Sequence, residues 1–517
     1  MARSLFAWRR RTSWPLGLGS AFVSALLSSI LILGLLATSA TAQTKPDQQP
    51  PDQKPATSPP PKDDQEPAKP DAESMKDDAD PDKPESDDNE EMKSSSEQNR
   101  DALPPGVFIA PPRPAEFAIN KPLTTDEKWK KWRGGKSSGE FNARVQAGDR
   151  DGQSDRIVQD GIREQIYAMS LPTLRDPKSE RFVLSEIVQG LLRSVRTAAA
   201  KKPAGDQRQY RVFILDEIIK GCRELADNQF YVRLNATMLL GNLFIVDASP
   251  GTKNEPEFYS PAFDALMEVL DRPGQSEAVK IAAINGLQNA ALYGAPSLMT
   301  HQNIQLAKKL ISELEKPGAN EWYQERLCDV LSSIDQVHDL NGQPFIVQAL
   351  AKVLFDTGRP LCARAAAARA LGRAQLDASI DLNVIAYGIA DLSRQMIEAR
   401  NDGKKHVRRW CIANVFLAFW PKNSYEKSRR AGLLDRVDEP TYSKYRKTVT
   451  EVWGLVHPMV VEELRHRAVV NVTFPPQVLA QMVEWLKGNT PAQLRVAPGL
   501  PLVTTTQITK VDANGHK

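Results

Sequence analysis

The sequence predicts an all-α protein, a stack of helix pairs over residues 154–490 preceded by a long stretch that cannot fold. Three observations predict it. From about Ser154 apolar residues recur at helical spacing, and alternating Val/Ile/Thr runs are almost absent. Gly and Pro fall between the helical segments, where one closes a helix and the other cannot continue it. The turn Asp271-Arg272-Pro273-Gly274 returns as Glu315-Lys316-Pro317-Gly318 and, altered, as Asp356-Thr357-Gly358, with Gly positions 44 and 40 residues apart.

The elements follow in order. A first helix is expected over 155–169, capped by Ser154 or Asp155 after a mobile turn, then helices over 179–200 and 206–226. The segments 260–271, 301–315 and 343–356 each end in the recurring turn. The segments 230–246, 276–293, 360–374 and 403–420 share a second pattern, a cation near the start and small residues in the middle. It is clearest in Val232-Arg233-Leu234-Asn235-Ala236-Thr237-Met238-Leu239-Leu240-Gly241 and Ala363-Arg364-Ala365-Ala366-Ala367-Ala368-Arg369-Ala370-Leu371-Gly372. Small residues let neighbouring helices approach closely. The segment 319–335 departs, because Glu325-Arg326-Leu327-Cys328 lacks the Ala-Leu-Gly. Helices over 378–400, 424–434, 441–470 (broken at Pro458) and 475–487 complete the body. Residues 105–153 read as an extended, mostly irregular segment with one short helix at Trp129–Arg133, and residues 491–517 as an irregular Pro- and Thr-rich tail.

The acid-x-Pro-Gly turn, the cationic start and the Ala-Leu-Gly centre together resemble the HEAT/armadillo-like repeat family over roughly residues 206–420. The resemblance implies a right-handed α-solenoid of HEAT-like helix pairs, with polar-faced helices capping both ends. It also implies an internal ladder between Asp227, Asp271, Glu315 and Asp356 and the recurring cations Arg233, Lys280, Arg326, Arg364 and Arg409. Cations at a helix start oppose its dipole, which favours such a structural role over binding.

The net charge of +3 hides three regions. Residues 1–42 carry +4, residues 43–104 carry −10 and residues 105–517 carry +9. The first has a basic start, an apolar run from Pro15 to Ala37 and Ala40-Thr41-Ala42, the pattern of a signal peptide; uncleaved, the run 15–37 is a membrane anchor. Either form puts the body outside the cytoplasm, periplasmic or secreted. The second region holds 12 Pro, no aromatic residue and a single Val/Ile/Leu side chain, Leu103. It buries too little apolar surface to offset ordering, and reads as a disordered acidic linker, a spacer. Four Cys in 517 residues exclude a disulfide scaffold, and the near-neutral total excludes a protein built wholly for nucleic acid.

No reaction is legible. Gly135-Lys136-Ser137-Ser138-Gly139 spells a nucleophile elbow, but charged, helical residues precede it where a strand is required. The loop Asp149–Asp155 has Ser154 where a calcium loop needs Gly and Asp160 where it needs Glu. The six His include no metal-spaced pair, so neither a metal nor another cofactor is expected. Cys222, Cys328, Cys362 and Cys411 occur singly in helices; they read as small buried residues, with Cys328 and Cys362 placed to pair across adjacent repeats. The candidate binding residues are Lys404, Lys405, Arg408 and Arg409, which with Arg429-Arg430 and Lys444, Arg446 and Lys447 form a basic patch for an anionic partner or a solvated face. The leading expectation is a non-catalytic scaffold for another protein or a polymer. The rivals are an α/α-toroid polysaccharide-degrading enzyme, with Trp322, Trp410, Trp420, Trp453 and Trp485 lining a sugar cleft, and an electrostatic binder of membrane or wall polymer. Export has a direct check: intact mass of the mature protein is expected to show Gln43 as its first residue, and a chain still beginning at Met1 or Ala2 rejects cleavage.

Overall fold

A computed structural model describes residues 119–175, 183–247, 255–294, 298–316, 318–403, 407–420, 432–465, 473–498 and 500–502. The expected signal or anchor (1–42), the acidic linker (43–104), Lys404, Lys405, Arg429 and Arg430 lie outside them. No helix among the described residues is long and apolar enough to cross a membrane.

The described chain is all-α. Its helices are α1 (Asp126–Gly134), α2 (Lys136–Ala147), α3 (Gly152–Ala168), α4 (Val183–Thr197), α5 (Ala204–Glu224), α6 (Phe230–Leu240), α7 (Pro261–Asp271), α8 (Glu277–Tyr293) and α9 (Thr300–Leu314). They continue with α10 (Glu321–Leu331), α11 (Phe345–Phe355), α12 (Leu361–Arg373), α13 (Leu382–Asn401), α14 (Arg409–Phe419), α15 (Leu433–Arg436), α16 (Arg446–Arg465) and α17 (Pro476–Gly488). Two small antiparallel hairpins join them, β1 (Phe244–Val246) with β2 (Glu257–Phe258) and β3 (Arg495–Ala497) with β4 (Leu500–Pro501).

Caps and turns explain the boundaries. Asp151, rather than Ser154 or Asp155, caps α3: its carboxylate accepts from the Gln153 and Ser154 backbone N–H groups. Gly274 and Gly318 are left-handed, at φ 68° and 75°, as the Pro-Gly turn requires. The third turn closes differently, with the Asp356 side chain accepting from Gly358 N–H and Arg359. Helix α16 runs through Pro458 instead of breaking there. The carbonyl that loses its donor belongs to Gly454, which is exposed, so water can replace the missing bond. Residues 126–147 form two helices where the sequence suggests only one short helix at Trp129–Arg133 in an otherwise extended segment. Trp129, Phe141 and Val145 are buried and α1 and α2 pack on α3, but their apolar spacing is masked by the surrounding lysines and arginines.

Packing follows the pairs. The second helices α6, α8, α10, α12, α14 and then α16 touch in succession, and the first helices α11 and α13 likewise adjoin. The glycines of the sequence motif mark where second helices meet: a Cβ on Gly286 would strike the Gly241 backbone, and one on Gly372 would strike the backbone at Ala418. α6 ends at Leu240 with Gly241 as its C-cap, and residues 244–246 form β1 instead of the last turn of the expected helix 230–246. α10 keeps its place between α8 and α12 although it lacks the motif. Several of the polar contacts between pairs share one spacing. Arg223–Glu268, Arg272–Asp227, Gln288–Ser333, Arg359 to the Leu314 carbonyl and Arg369–Asn414 each join residues 45 apart.

Two of the acids at first-helix ends take cations from the following pair, Asp227 from Arg272 and Asp271 from Lys309 at 2.6 Å, while Asp356 pairs with Arg359 of its own turn. The cations at second-helix starts use a wider set of partners. Arg233 donates to Gln275, Lys280 to Glu313, and buried Arg364 to the Leu354 carbonyl and Gln395.

Glu313 is the tightest of these junctions. Its side chain is 1% exposed, with Lys280 at 3.1 Å, Lys309 at 3.3 Å, Lys316 at 2.5 Å and the Tyr323 hydroxyl at 3.0 Å. Burial acts to raise its pKa, but the hydrogen bonds from Lys316, Lys280 and Tyr323 and the charge of Lys280 outweigh it and hold the carboxyl at about 2, below its ordinary 4.5. A depressed folded-state pKa stabilises the fold above the unfolded value and loses that contribution as pH falls through the folded one. A tenfold difference in proton affinity between the folded and unfolded chain is worth ~1.4 kcal/mol. Chemical denaturation should therefore show the wild type's advantage over Glu313→Gln narrowing by about 2–3 kcal/mol between about pH 5 and about pH 2.5.

Candidate functional site

The N-termini of α10, α12 and α14 form one edge of the second-helix layer. Asn320 caps α10, accepting from the Trp322 backbone N–H at 3.0 Å. Trp322, Cys362 and Trp410 are each the second residue of their helix, so the repeat brings them into register. The Trp322 and Trp410 rings lie 5.0 Å apart between centroids at 43°. Trp410 is held from two further sides. Its Nε1–H donates to Glu325 at 3.2 Å, and the Arg408 guanidinium sits 4.7 Å from its ring centre. Burial raises the Glu325 carboxyl pKa, against the hydrogen bond from Trp410, which lowers it. Trp322, by contrast, leaves half of its surface in solvent.

Beneath the rings Cys362 and Cys411 form a disulfide, with Cα atoms 4.7 Å apart and 49 residues between them in sequence. Closing a loop of that length in the unfolded chain contributes about 4 kcal/mol in the chain-entropy account. The pairing corrects the expectation for Cys328 with Cys362. Cys328 is a free, buried thiol, pushed up to about 12 by burial. Both disulfide positions sit in first turns of adjacent second helices, whereas Cys328 lies near the far end of α10.

The expected basic cluster divides. Lys404 and Lys405 are not among the described residues. Arg409 keeps one side in solvent while its Nε reaches Glu463 at 2.8 Å, a carboxylate that also takes Arg400 at 3.1 Å. Glu463 is 5% exposed, so Arg409 fastens α14 to α16. Arg408 faces solvent over Trp410. Of the outer cations, Arg446 pairs with Asp438 at 3.0 Å, and Lys444 lies against the Tyr445 ring.

The tryptophans separate as well. Trp453 packs on Phe416 and Phe419 at 5.5 and 5.6 Å, and Trp485 Nε1 donates to Glu451 at 3.0 Å. The contacts of Trp453 lie six and nine residues along α14 from Trp410, about 9 and 14 Å at ~1.5 Å per residue, and that of Trp485 lies between α16 and α17, so these rings are not grouped with the Trp322–Trp410 pair. The buried carboxylates are likewise committed: Glu164 to Thr124 and Lys128, Glu217 to Gln159 and Lys220, Glu313 and Glu463 as above.

No protein family, curated protein or solved structure matches this chain.

The edge is thus defined by geometry alone: a fixed, half-exposed indole, a second indole that supports it and a solvent-facing guanidinium. Sequence reasoning noted the two tryptophans only among five. Their equal position within a repeat was the signal that sets them apart. The division between the arginines is measurable. Arg409→Gln is expected to lower stability by about 1–3 kcal/mol, because it strips one partner from a buried carboxylate, and Arg408→Gln by less than about 0.5 kcal/mol. Thermal denaturation of the two variants checks this, and equal losses would reject it.

Proposed function

We propose that this chain is an exported, non-catalytic scaffold that binds another protein through the edge formed by Trp322, Trp410 and Arg408. In this reading the body is a right-handed α-solenoid of the HEAT/armadillo-like kind, held away from a membrane or wall by the acidic linker 43–104. With the Cys362–Cys411 disulfide formed it carries no cofactor, and it does not engage nucleic acid.

The observation that carries the reading is Trp322. An indole fixed by a tilted neighbouring ring and a capped helix start, yet half in water, contributes little to folding. Trp and Arg are the side chains over-represented where interfaces concentrate their binding energy, and prior immobilisation lowers the entropic cost of binding. The 45-residue spacing shared by several polar contacts supports a repeat architecture, which offers an extended face rather than an enclosed cleft. The Cys362–Cys411 bond supports an oxidising, extracytoplasmic location, in agreement with the leader.

The rival enzyme reading needs convergent, unpaired carboxylates or a tryptophan-lined cleft. The pairing of Glu164, Glu217, Glu313 and Glu463 and the separation of the tryptophans weigh against it. The polymer-binding reading draws on Lys404, Lys405 and Arg408 and predicts a different response.

Cross-linking of native protein in its source cells, followed by identification of the captured chains, distinguishes them. Trp322→Ala is expected to reduce capture of the principal partner about tenfold with little change in thermal stability, in line with a ~1.4 kcal/mol or larger contribution. An unchanged partner set rejects the edge. Strong retention on heparin or anionic liposomes that is lost when Lys404, Lys405 and Arg408 become Gln favours the polymer reading instead.

A further inference from the structure

We infer that Cys362, Cys411 and Glu321 form a thiolate and carboxylate site for a thiophilic divalent cation of the zinc class in the reduced protein, so that metal and disulfide are alternative states of the same residues. Each of the three offers a ligand atom, and these atoms all lie within 4.8 Å of one another. They come from three neighbouring second helices, α12, α14 and α10. Two sulfurs at about 2.3 Å from a tetrahedral zinc sit about 3.8 Å apart, and a carboxylate oxygen at about 2.0–2.2 Å sits slightly nearer, so the shell closes once reduction frees the bonded sulfurs and side-chain rotation moves them apart. Both Cys are buried, while Glu321 is half-buried and leaves one side for entry and for a fourth ligand such as water.

The second observation is the carboxylate itself. Glu321 makes no hydrogen bond or ion pair with another described residue, yet it stands beside two sulfurs rather than out in solvent. A disulfide gives it nothing to bind. Two thiolates and a cation would, with the charges nearly balanced at −3 against +2. Cys362 and Cys411 also lie in the first turns of their helices, whose N-termini favour the anionic thiolate that a metal requires.

Interconversion is thiol–disulfide exchange with a disulfide-bearing oxidant of the compartment. One thiolate attacks a sulfur of the oxidant, and the second thiolate displaces the mixed disulfide. The Cys362–Cys411 bond forms, the oxidant leaves with two electrons as a dithiolate that takes two protons from solvent to become a dithiol, and the cation is released. A dithiol reductant runs the sequence backward.

Cobalt(II) is the probe, added to the full chain reduced and handled without oxygen. The expected result is a near-ultraviolet thiolate-to-cobalt charge-transfer band that saturates at one equivalent, absent from the oxidised protein and from Cys411→Ser. Glu321→Gln is expected to weaken cobalt affinity about tenfold or more, the scale on which changes to a metal site act. Reduced wild type that shows no band while its thiol titre confirms both cysteines free overturns the site, as does a band that persists in Cys411→Ser. Should a variant fail to fold, alkylation mapped by mass spectrometry serves on the wild type alone. Zinc is expected to slow modification of Cys362 and Cys411 about tenfold, at ~1.4 kcal/mol per tenfold, and to leave Cys222 and Cys328 unchanged. Equal rates with and without zinc overturn the proposal.

Discussion

The backbones of successive second helices touch at positions where no side chain fits. Gly241 lies against Gly286, and Gly372 against the backbone at Ala418. Helices that approach so closely must present small residues around the contact, which is why Cys362–Ala368 of α12 is almost wholly Ala and entirely buried. That spacing determines how far apart every other residue of one pair lies from its equivalent in the next. The polar contacts that join residues 45 apart are consequences of it, since side chains of ordinary length then reach the neighbouring repeat.

Charge occupies the remaining space between pairs. Glu313 joins α8, α9 and α10, while Glu463 joins α13, α14 and α16. Buried carboxylates without such partners would be costly, so each draws cations to it, some of them, such as Lys316 and Arg409, still partly in solvent. Arg233, Arg364 and Arg409 look like a ladder for an anionic partner in one dimension, and in three dimensions they serve the joints. Arg408 shows the contrast, since it turns outward onto Trp410.

The same register that builds the joints builds the edge. Trp322, Cys362 and Trp410 share a position within their helices, so the close stacking of α10, α12 and α14 aligns them. The disulfide crosses between two of these helices, and the indoles bridge from the first to the third. An indole placed at a helix start projects beyond the layer, where no further helix of the repeat covers it.

Much of the fold was legible in the amino-acid sequence because helices depend on local spacing and local caps. The segments expected over 260–271, 276–293, 301–315 and 360–374 each match a helix within about a residue or two, the usual uncertainty of helix ends. The segments that misled are those where distant packing overrides the local signal. α6 stops early at its C-cap Gly241, which lies against Gly286, α16 passes Pro458 because the orphaned carbonyl at Gly454 reaches water, and α1 and α2 hide their few buried apolar residues among cations. The sequence by itself determined the all-α class and the residues small enough for close contact. Only the tertiary structure decided which cysteine pairs with Cys362, which arginine reaches a buried carboxylate and which tryptophan stays in water. Those choices rest on contacts between residues some 40–90 positions apart in the chain, separations across which no local preference acts.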